Sequence, residues 1–450
     1  MKILVTVGPS SNDHSSLIEF SKKTKLFRLN GSHGTLDWHK TAVSSIRHAC
    51  PDAFILMDIP GIKPRTDNVE NISIFKGQEV FFGNVPYSGS HLSVGLTKDI
   101  PKHDKLLTNF SVNDGQFEFD CVSFGNGYVV GRSQSDFTLL PKKGLNLPKS
   151  IYDERQQSGI YKKFIKNISD LDIDGLGLSF VQTGELVDHI RSVAPSLVLV
   201  SKIENSEGLR NCIDIIKHSD AIMIDRGDLA AEIGLTNLYD AIEEISHNTK
   251  AHGKPLIMAT ENLETMLDRH VPSKSEVMSI AHSASIGVDC IMLSEETATA
   301  VSGPKTVIWL SNFLQSCIRT NRPKTVSTIK NKFPVVWTTL SNLGQMPVLI
   351  MTKSGYALFE YFSVMPEGEA VLVTDNPKLL KICMIFANNI HVISRSVDDS
   401  PLDILWEIVA CNKEKLFAQS NQLAAVYVSK YVSTARANSI TIFDKGDFDL

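Results

Sequence analysis

The chain is 450 residues long, 42% hydrophobic and 21% charged, the composition of a globular protein of roughly two to four domains. Its 45 basic and 50 acidic side chains sum to a formal charge of −5, which argues against nucleic-acid or membrane partners bound through a broad basic surface. No apolar run is long enough to suggest a transmembrane span, and seven scattered cysteines without a Cys-x-x-Cys fit reduced thiols in a cytoplasm rather than a disulfide framework or a zinc site.

The opening Met1-Lys2-Ile3-Leu4-Val5-Thr6-Val7-Gly8-Pro9 has too short an apolar core for a signal peptide and reads as a first strand. Short β-branched runs recur at 3–7, 26–29, 54–58, 175–178, 197–201, 221–224, 255–259 and 290–293. Amphipathic stretches such as 206–218 and 238–252 lie between them. Eight strand-then-helix units predict an α/β fold built on a (β/α)8 TIM barrel. More than a hundred residues separate the third strand from the fourth, too many for one connection. Within them, 68–148 shows β patterning with turns at Gly83-Asn84, Asn113-Asp114-Gly115 and Gly125-Asn126-Gly127, and reads as an inserted small β-barrel lid domain. A helix over 304–319 and a polar stretch over 320–328 follow the eighth strand. Strands at 348–351, 370–373, 391–393 and 424–428 then predict a C-terminal α/β domain. The expected division is a catalytic barrel over 1–67 and 149–328, the lid over 68–148, and the C-terminal domain over 329–450.

In a barrel of this kind the active face lies at the C-terminal strand ends. There the sequence places Arg28 and Asn30-Gly31-Ser32-His33-Gly34 after the second strand, and Asp58, Gly61, Lys63 and Arg65 after the third. Lys202-Ile203-Glu204-Asn205 closes the fifth, Asp225-Arg226-Gly227-Asp228 the sixth, Thr260-Glu261-Asn262 the seventh, and Ser294-Glu295-Glu296-Thr297 the eighth. Glu204 and Asp228, on neighbouring strands, could hold one Mg²⁺ or Mn²⁺. Lys202 and Arg28 could neutralise a phosphate or a developing enolate. Such parts suit phosphoryl transfer or enolate chemistry on a keto acid. Each residue alone has a plainer reading: His33 as a helix cap, Lys63 in solvent, Lys142-Lys143 as a solvated pair.

Together these residues resemble the pyruvate kinase family. The resemblance rests on Lys202-Ile203-Glu204-Asn205 with Glu207-Gly208, on Asp220-Ala221-Ile222-Met223 with Arg226-Gly227-Asp228-Leu229, and on Ala259-Thr260 with Leu263-Glu264 and Met266. Asp289-Cys290-Ile291-Met292-Leu293-Ser294 with Glu296-Thr297-Ala298, Arg28-Leu29-Asn30, Ser32-His33-Gly34 and Asn146-Leu147-Pro148 extend it over about residues 1–310. It implies a cytoplasmic, homotetrameric glycolytic enzyme that moves a phosphoryl group from phosphoenolpyruvate to ADP, giving pyruvate and ATP. Lys202, Arg28 and Thr260 would be catalytic, and Gly227 and Asp228 would join them around the substrate. Glu204 and Asp228 would bind the metal. Arg65, Lys143, Asn30, Ser32 and His33 would serve the nucleotide.

The third-strand loop, Asp58-Ile59-Pro60-Gly61-Ile62-Lys63-Pro64-Arg65, resembles the K⁺-independent branch. Asn30, Ser32, Asp58 and Lys63 would form the monovalent-cation site or its lysine substitute, so K⁺ would not be required. Pro60, Gly31, Asp225, Ala230, Glu261, Asn262 and Glu295 depart from the family's common pattern. Those departures keep open a relative acting on another acceptor or acid in a secondary pathway, or a non-catalytic regulatory binder. Thr352-Lys353-Ser354-Gly355-Tyr356-Ala357 resembles part of the family's sugar-phosphate site. The later effector loop has no counterpart in Val432-Ser433-Thr434-Ala435-Arg436-Ala437, so sugar-bisphosphate activation is not expected.

Overall fold

Eight parallel strands close into a barrel: β1 (Lys2–Thr6), β2 (Leu26–Asn30), β3 (Phe54–Ile59), and then, after eight intervening strands, β12 (Gly175–Leu178), β13 (Val198–Ile203), β14 (Ala221–Asp225), β15 (Leu256–Ala259) and β16 (Cys290–Leu293). The computed structural model describes residues 1–86, 89–101, 107–113, 115–317, 346–364, 368–418, 420–427 and 439–448. The barrel closes where Lys2 pairs with Cys290 and Leu4 with Leu26. Helices cover the outside, so the strands are buried on both faces, which is why each reads as a continuous apolar run. The helix Leu36–Ala49 shows the complementary period: its buried His39, Ala42, Val43 and Ile46 form one stripe.

All eight expected strands are present. Four run one or two residues past their expected ends, and β13 begins at Val198 rather than 197 and carries Lys202 inside it. The expected helix 206–218 is two helices, Ser206–Arg210 and Cys212–His218. Asn211 breaks it because its side-chain amide donates to the Gln182 carbonyl at 2.9 Å, with non-helical backbone at φ −99°, ψ 16°.

The intervening strands are β4 (Ile72–Ile74), β5 (Glu79–Gly83), β6 (Leu92–Val94), β7 (Asn109–Val112), β8 (Phe117–Gly125), β9 (Tyr128–Ser133), β10 (Phe137–Leu139) and β11 (Leu145–Asn146). They make a six-stranded sheet, β11-β7-β8-β9-β5-β6, and a pair, β10-β4, around an aromatic core of Phe82, Phe110 and Phe119. Asn126-Gly127 turns β8 into β9, with Gly127 at φ 84°.

Past the barrel, β17 (Val348–Met351), β18 (Ala370–Thr374), β19 (Ile390–Ser394), β20 (Gln422–Tyr427) and β21 (Ser439–Asp444) form a sheet ordered β19-β18-β17-β20-β21. The edge strand β21, antiparallel to β20, had no counterpart among the expected strands. The polar stretch 320–328, the boundary at 328/329 and residues 432–437 lie outside the described residues. This sheet's helices seal the barrel floor. Leu4, Phe54 and Met292 from inside the barrel share one apolar cluster with Phe362 and Phe386. Asp174 pairs with Lys381 across the junction, and Asp220 pairs with Lys378 at 2.9 Å.

Candidate active site

At the opposite end of the barrel the strands deliver a buried network of alternating charge. Asp58, near the end of β3, accepts Arg28 Nε at 2.9 Å and Nη2 at 2.6 Å on one oxygen. Arg28 Nη1 donates to Thr6 Oγ1 at 3.0 Å. Lys202 Nζ lies 2.6 Å from Glu204, 3.4 Å from Asp225 and 3.6 Å from Asp58. Burial would strip Lys202 of its proton, but the charges of Glu204, Asp58 and Asp225 prevail and hold it protonated far above its ordinary range. Burial likewise opposes ionisation of Asp58, yet Arg28 and Lys202 keep its pKa below the usual carboxylate value. Glu204 goes the other way. Desolvation, reinforced by Asp225 and Asp228, raises its pKa against the pull of the Lys202 ammonium paired with it. Its Oε2 accepts the Phe180 amide at 2.6 Å.

Glu204, Asp225 and Asp228 each offer an oxygen, all within 4.8 Å of one another. Three carboxylate oxygens at that spacing suit a hard divalent cation that keeps water or substrate oxygens in its remaining positions. The residues thus fit the metal the sequence implies. Asp225, a departure from the family's common pattern at the end of β14, is its third carboxylate neighbour. Lys63 does not project into solvent. It is buried, and its ammonium pairs with Asp228. That contact outweighs the burial penalty and lowers Asp228's pKa.

Thr260 follows β15 in left-handed backbone, φ 60°, and Glu261 continues it at φ 52°. Such conformations cost about 1–2 kcal/mol for a non-glycine residue. The turn brings Thr260 Oγ1 to 3.2 Å from the Gly227 amide, which donates to it, and to 3.1 Å from Asp225 Oδ1. Gly227 lies in the first turn of the helix Arg226–Ile233, so its backbone amide and the Thr260 hydroxyl that accepts it share one spot beside the acids.

The glycine-flanked loop after β2 stays exposed. Asn30 Oδ1 accepts the Ser32 amide at 3.0 Å, a tight local turn. Desolvation and the Arg65 and Arg28 charges hold the His33 imidazole below its ordinary pKa. Arg65 reaches the Lys142 carbonyl at 3.1 Å, and the Thr66 amide donates to the Lys143 carbonyl at 2.8 Å. This bridge ties the third-strand loop to the far end of the inserted β segment. Arg28, Asp58, Lys63, Lys202, Glu204, Gly227, Asp228 and Thr260 therefore converge. Asn30, Ser32, His33, Arg65 and Lys143 border them. Glu261 and Glu295 are exposed.

The profile described as pyruvate kinase, barrel domain, matches residues 1–307. A pyruvate kinase of Dictyostelium discoideum is 30% identical over 322 residues, covering 66% of this chain and 62% of that protein's length. One from Agrobacterium vitis is 25% identical across 99% of this chain and 98% of its own. Among solved structures, a pyruvate kinase of Cryptosporidium parvum superposes with a TM-score of 0.82 at 24% identity, over 98% of this chain and 95% of that one. The enzyme of Pyrobaculum aerophilum gives 0.80 at 20% identity, over 99% and 98%. At these identities the structural likenesses speak for the fold.

Proposed function

The chain belongs to the pyruvate kinase family, and on that premise we propose that it is a phosphotransferase moving a phosphoryl group from phosphoenolpyruvate to ADP, giving pyruvate and ATP in glycolysis. The observation that carries this reading is the convergence of Lys202, Glu204, Asp228, Arg28 and Thr260 at one barrel mouth. Arg28 and the protonated Lys202 face the phosphate, neutralising it without movement because Asp58 and Glu204 already hold them. The Gly227 amide and Thr260 hydroxyl take the carboxylate end. Lys202 then steadies negative charge on the enol oxygen as the phosphoryl group departs, and the enolate is protonated to pyruvate. A Mg²⁺ or Mn²⁺ held by Glu204 and Asp228, with Asp225 beside them, supplies further charge neutralisation. Arg65, Lys143, Asn30, Ser32 and His33 border the path of the nucleotide phosphates. We take residues 68–148 as a lid that carries Lys143 and closes to exclude water, the barrel as 1–67 with 149–328, and 329–450 as the C-terminal domain.

Lys63 supplies a fixed positive charge within the site, so activity does not require K⁺. The enzyme works in the cytoplasm, a placement supported by the relative from Nicotiana tabacum named a cytosolic isozyme and by seven free cysteines. Exposed Leu235, Tyr239 and Met278 on two neighbouring helices offer apolar surface for a homotetramer. The test is pyruvate formation from phosphoenolpyruvate, ADP and Mg²⁺, with and without K⁺. Turnover in both conditions is expected. Turnover only with K⁺ would remove the role given to Lys63, and no turnover in either would overturn the reading.

A further inference from the structure

Two successive non-glycine residues in left-handed backbone persist only where their surroundings hold them. One hold on the Thr260–Glu261 turn is the Thr260 carbonyl. Thr260 O accepts Arg226 Nε at 3.2 Å and also Arg226 Nη2. Arg226 is buried, and its guanidinium is pinned at two further points. Nη1 donates to Ser279 Oγ at 2.6 Å, and Nη2 donates to Asn262 Oδ1 at 3.0 Å. Asn262 is 0% exposed. Its amide nitrogen donates to the Met292 carbonyl at 2.8 Å and to the Met258 carbonyl at 3.3 Å. The strands β15 and β16 and the helix Lys274–Ser285 are therefore tied, through Asn262 and Ser279, to the Arg226 guanidinium that holds the Thr260 carbonyl. On the other face of the same residue, the hydroxyl meets the Gly227 amide.

We propose that Arg226 and Asn262 are positioning residues for Thr260. Neither touches the reacting atoms. Asn262 orients the guanidinium, the guanidinium fixes the carbonyl, and the carbonyl fixes the backbone that aims the hydroxyl at the carboxylate end of the substrate. The inference rests on the function proposed above and adds to it the device that sets one of its contacts.

The test uses the full chain. Asn262→Leu removes the acceptor for Arg226 and the donor to Met292 at similar volume. It should lower kcat/KM for phosphoenolpyruvate about tenfold or more, with the KM for ADP and the Mn²⁺ dissociation constant changed by less than about twofold. Asn262→Asp keeps the acceptor and should retain most of the turnover. Ser279→Ala, a milder loss, should move kcat/KM in the same direction and carries the test if Asn262→Leu does not fold. Glu261→Gly added to Asn262→Leu should recover part of the loss, because glycine holds left-handed backbone unaided. Wild-type kcat/KM in both Asn262→Leu and Ser279→Ala would overturn the proposal. So would a loss that spreads equally to ADP and Mn²⁺ and that Glu261→Gly leaves in place. An inactive wild-type chain would instead overturn the function, and this proposal with it.

Discussion

Gly177 sits in β12 directly against Asp58, and replacing it with alanine tests whether that carboxylate must stand where it does. A Cβ at Gly177 would lie 2.0 Å from Asp58 Oδ1 and 2.9 Å from its Cγ. Real Cβ contacts do not fall below 3.0 Å, so Oδ1 must retreat by about 1 Å to be tolerated. A loose side chain would yield easily, but this one is pinned: its other oxygen takes both Arg28 donors, at 2.9 and 2.6 Å, and lies 3.6 Å from Lys202. Gly177→Ala should therefore pull Asp58 off Arg28 and unsettle both cations that face the phosphate. A displacement near 1 Å at a catalytic group costs about 10²-fold in kcat. Disrupting a buried ion pair costs about 3–5 kcal/mol of stability. Pyruvate-forming turnover at saturating substrates and the thermal unfolding midpoint, read on the same sample, measure the two effects. Wild-type values for both would refute the reasoning, since they would mean that Asp58 relaxes at no cost. Gly159→Ala is the comparison. It lies exposed within the helix Glu154–Asn167 with nothing near its Cβ, and should stabilise by about 0.5–1 kcal/mol with activity unchanged.

Lys202→Met should abolish turnover, by at least about 10³-fold, while circular dichroism still reports a folded barrel. Residual turnover near the wild-type rate would remove Lys202 from the catalytic role. Glu232 predicts a pH dependence. Burial pushes its pKa to about 8, against an ordinary 4.5, with Lys63 opposing only in part. Between those values the folded state holds a proton that the unfolded chain has released. Stability of the metal-free protein should therefore fall as pH rises from about 5 to 8, by up to about 1.4 kcal/mol per unit. Glu232→Gln should flatten that slope in denaturation series run with chelator, and an unchanged slope would exclude Glu232 as its source.

The barrel was legible because parallel strands buried on both faces leave a signal that needs only local sequence. The same local rule misplaced the strand ends. A lysine reads as a strand stop, yet Lys202 continues β13, because Glu204, Asp58 and Asp225 surround it with enough negative charge to be buried. Asp225 extends β14 for the same kind of reason, with Lys202 3.4 Å away. The site was legible as a set of polar strand ends, but its pairings were not. Nothing near Lys63 in the sequence points to Asp228, 165 residues away. Nor does the triplet Thr260-Glu261-Asn262 announce that its third residue is buried and clamps an arginine that follows another strand. β21 escaped because it is a half-exposed edge strand with weak apolar patterning.

The shared floor of the barrel has a consequence for biosynthesis. Chains emerge from the ribosome N-terminus first, at about 5–20 residues per second. All eight barrel strands are therefore made while Phe362 and Phe386, the side chains that seal the floor, are still to come. Closing it waits for helices around residues 356–385 and for a sheet that includes Gln422–Tyr427. For several seconds of every round of translation the nascent barrel presents Leu4, Phe54 and Met292 to water at one end, while Asp174 still lacks its lysine. During that interval the floor of the barrel is uncovered, and the barrel is completed only once the residues through Tyr427 have been made.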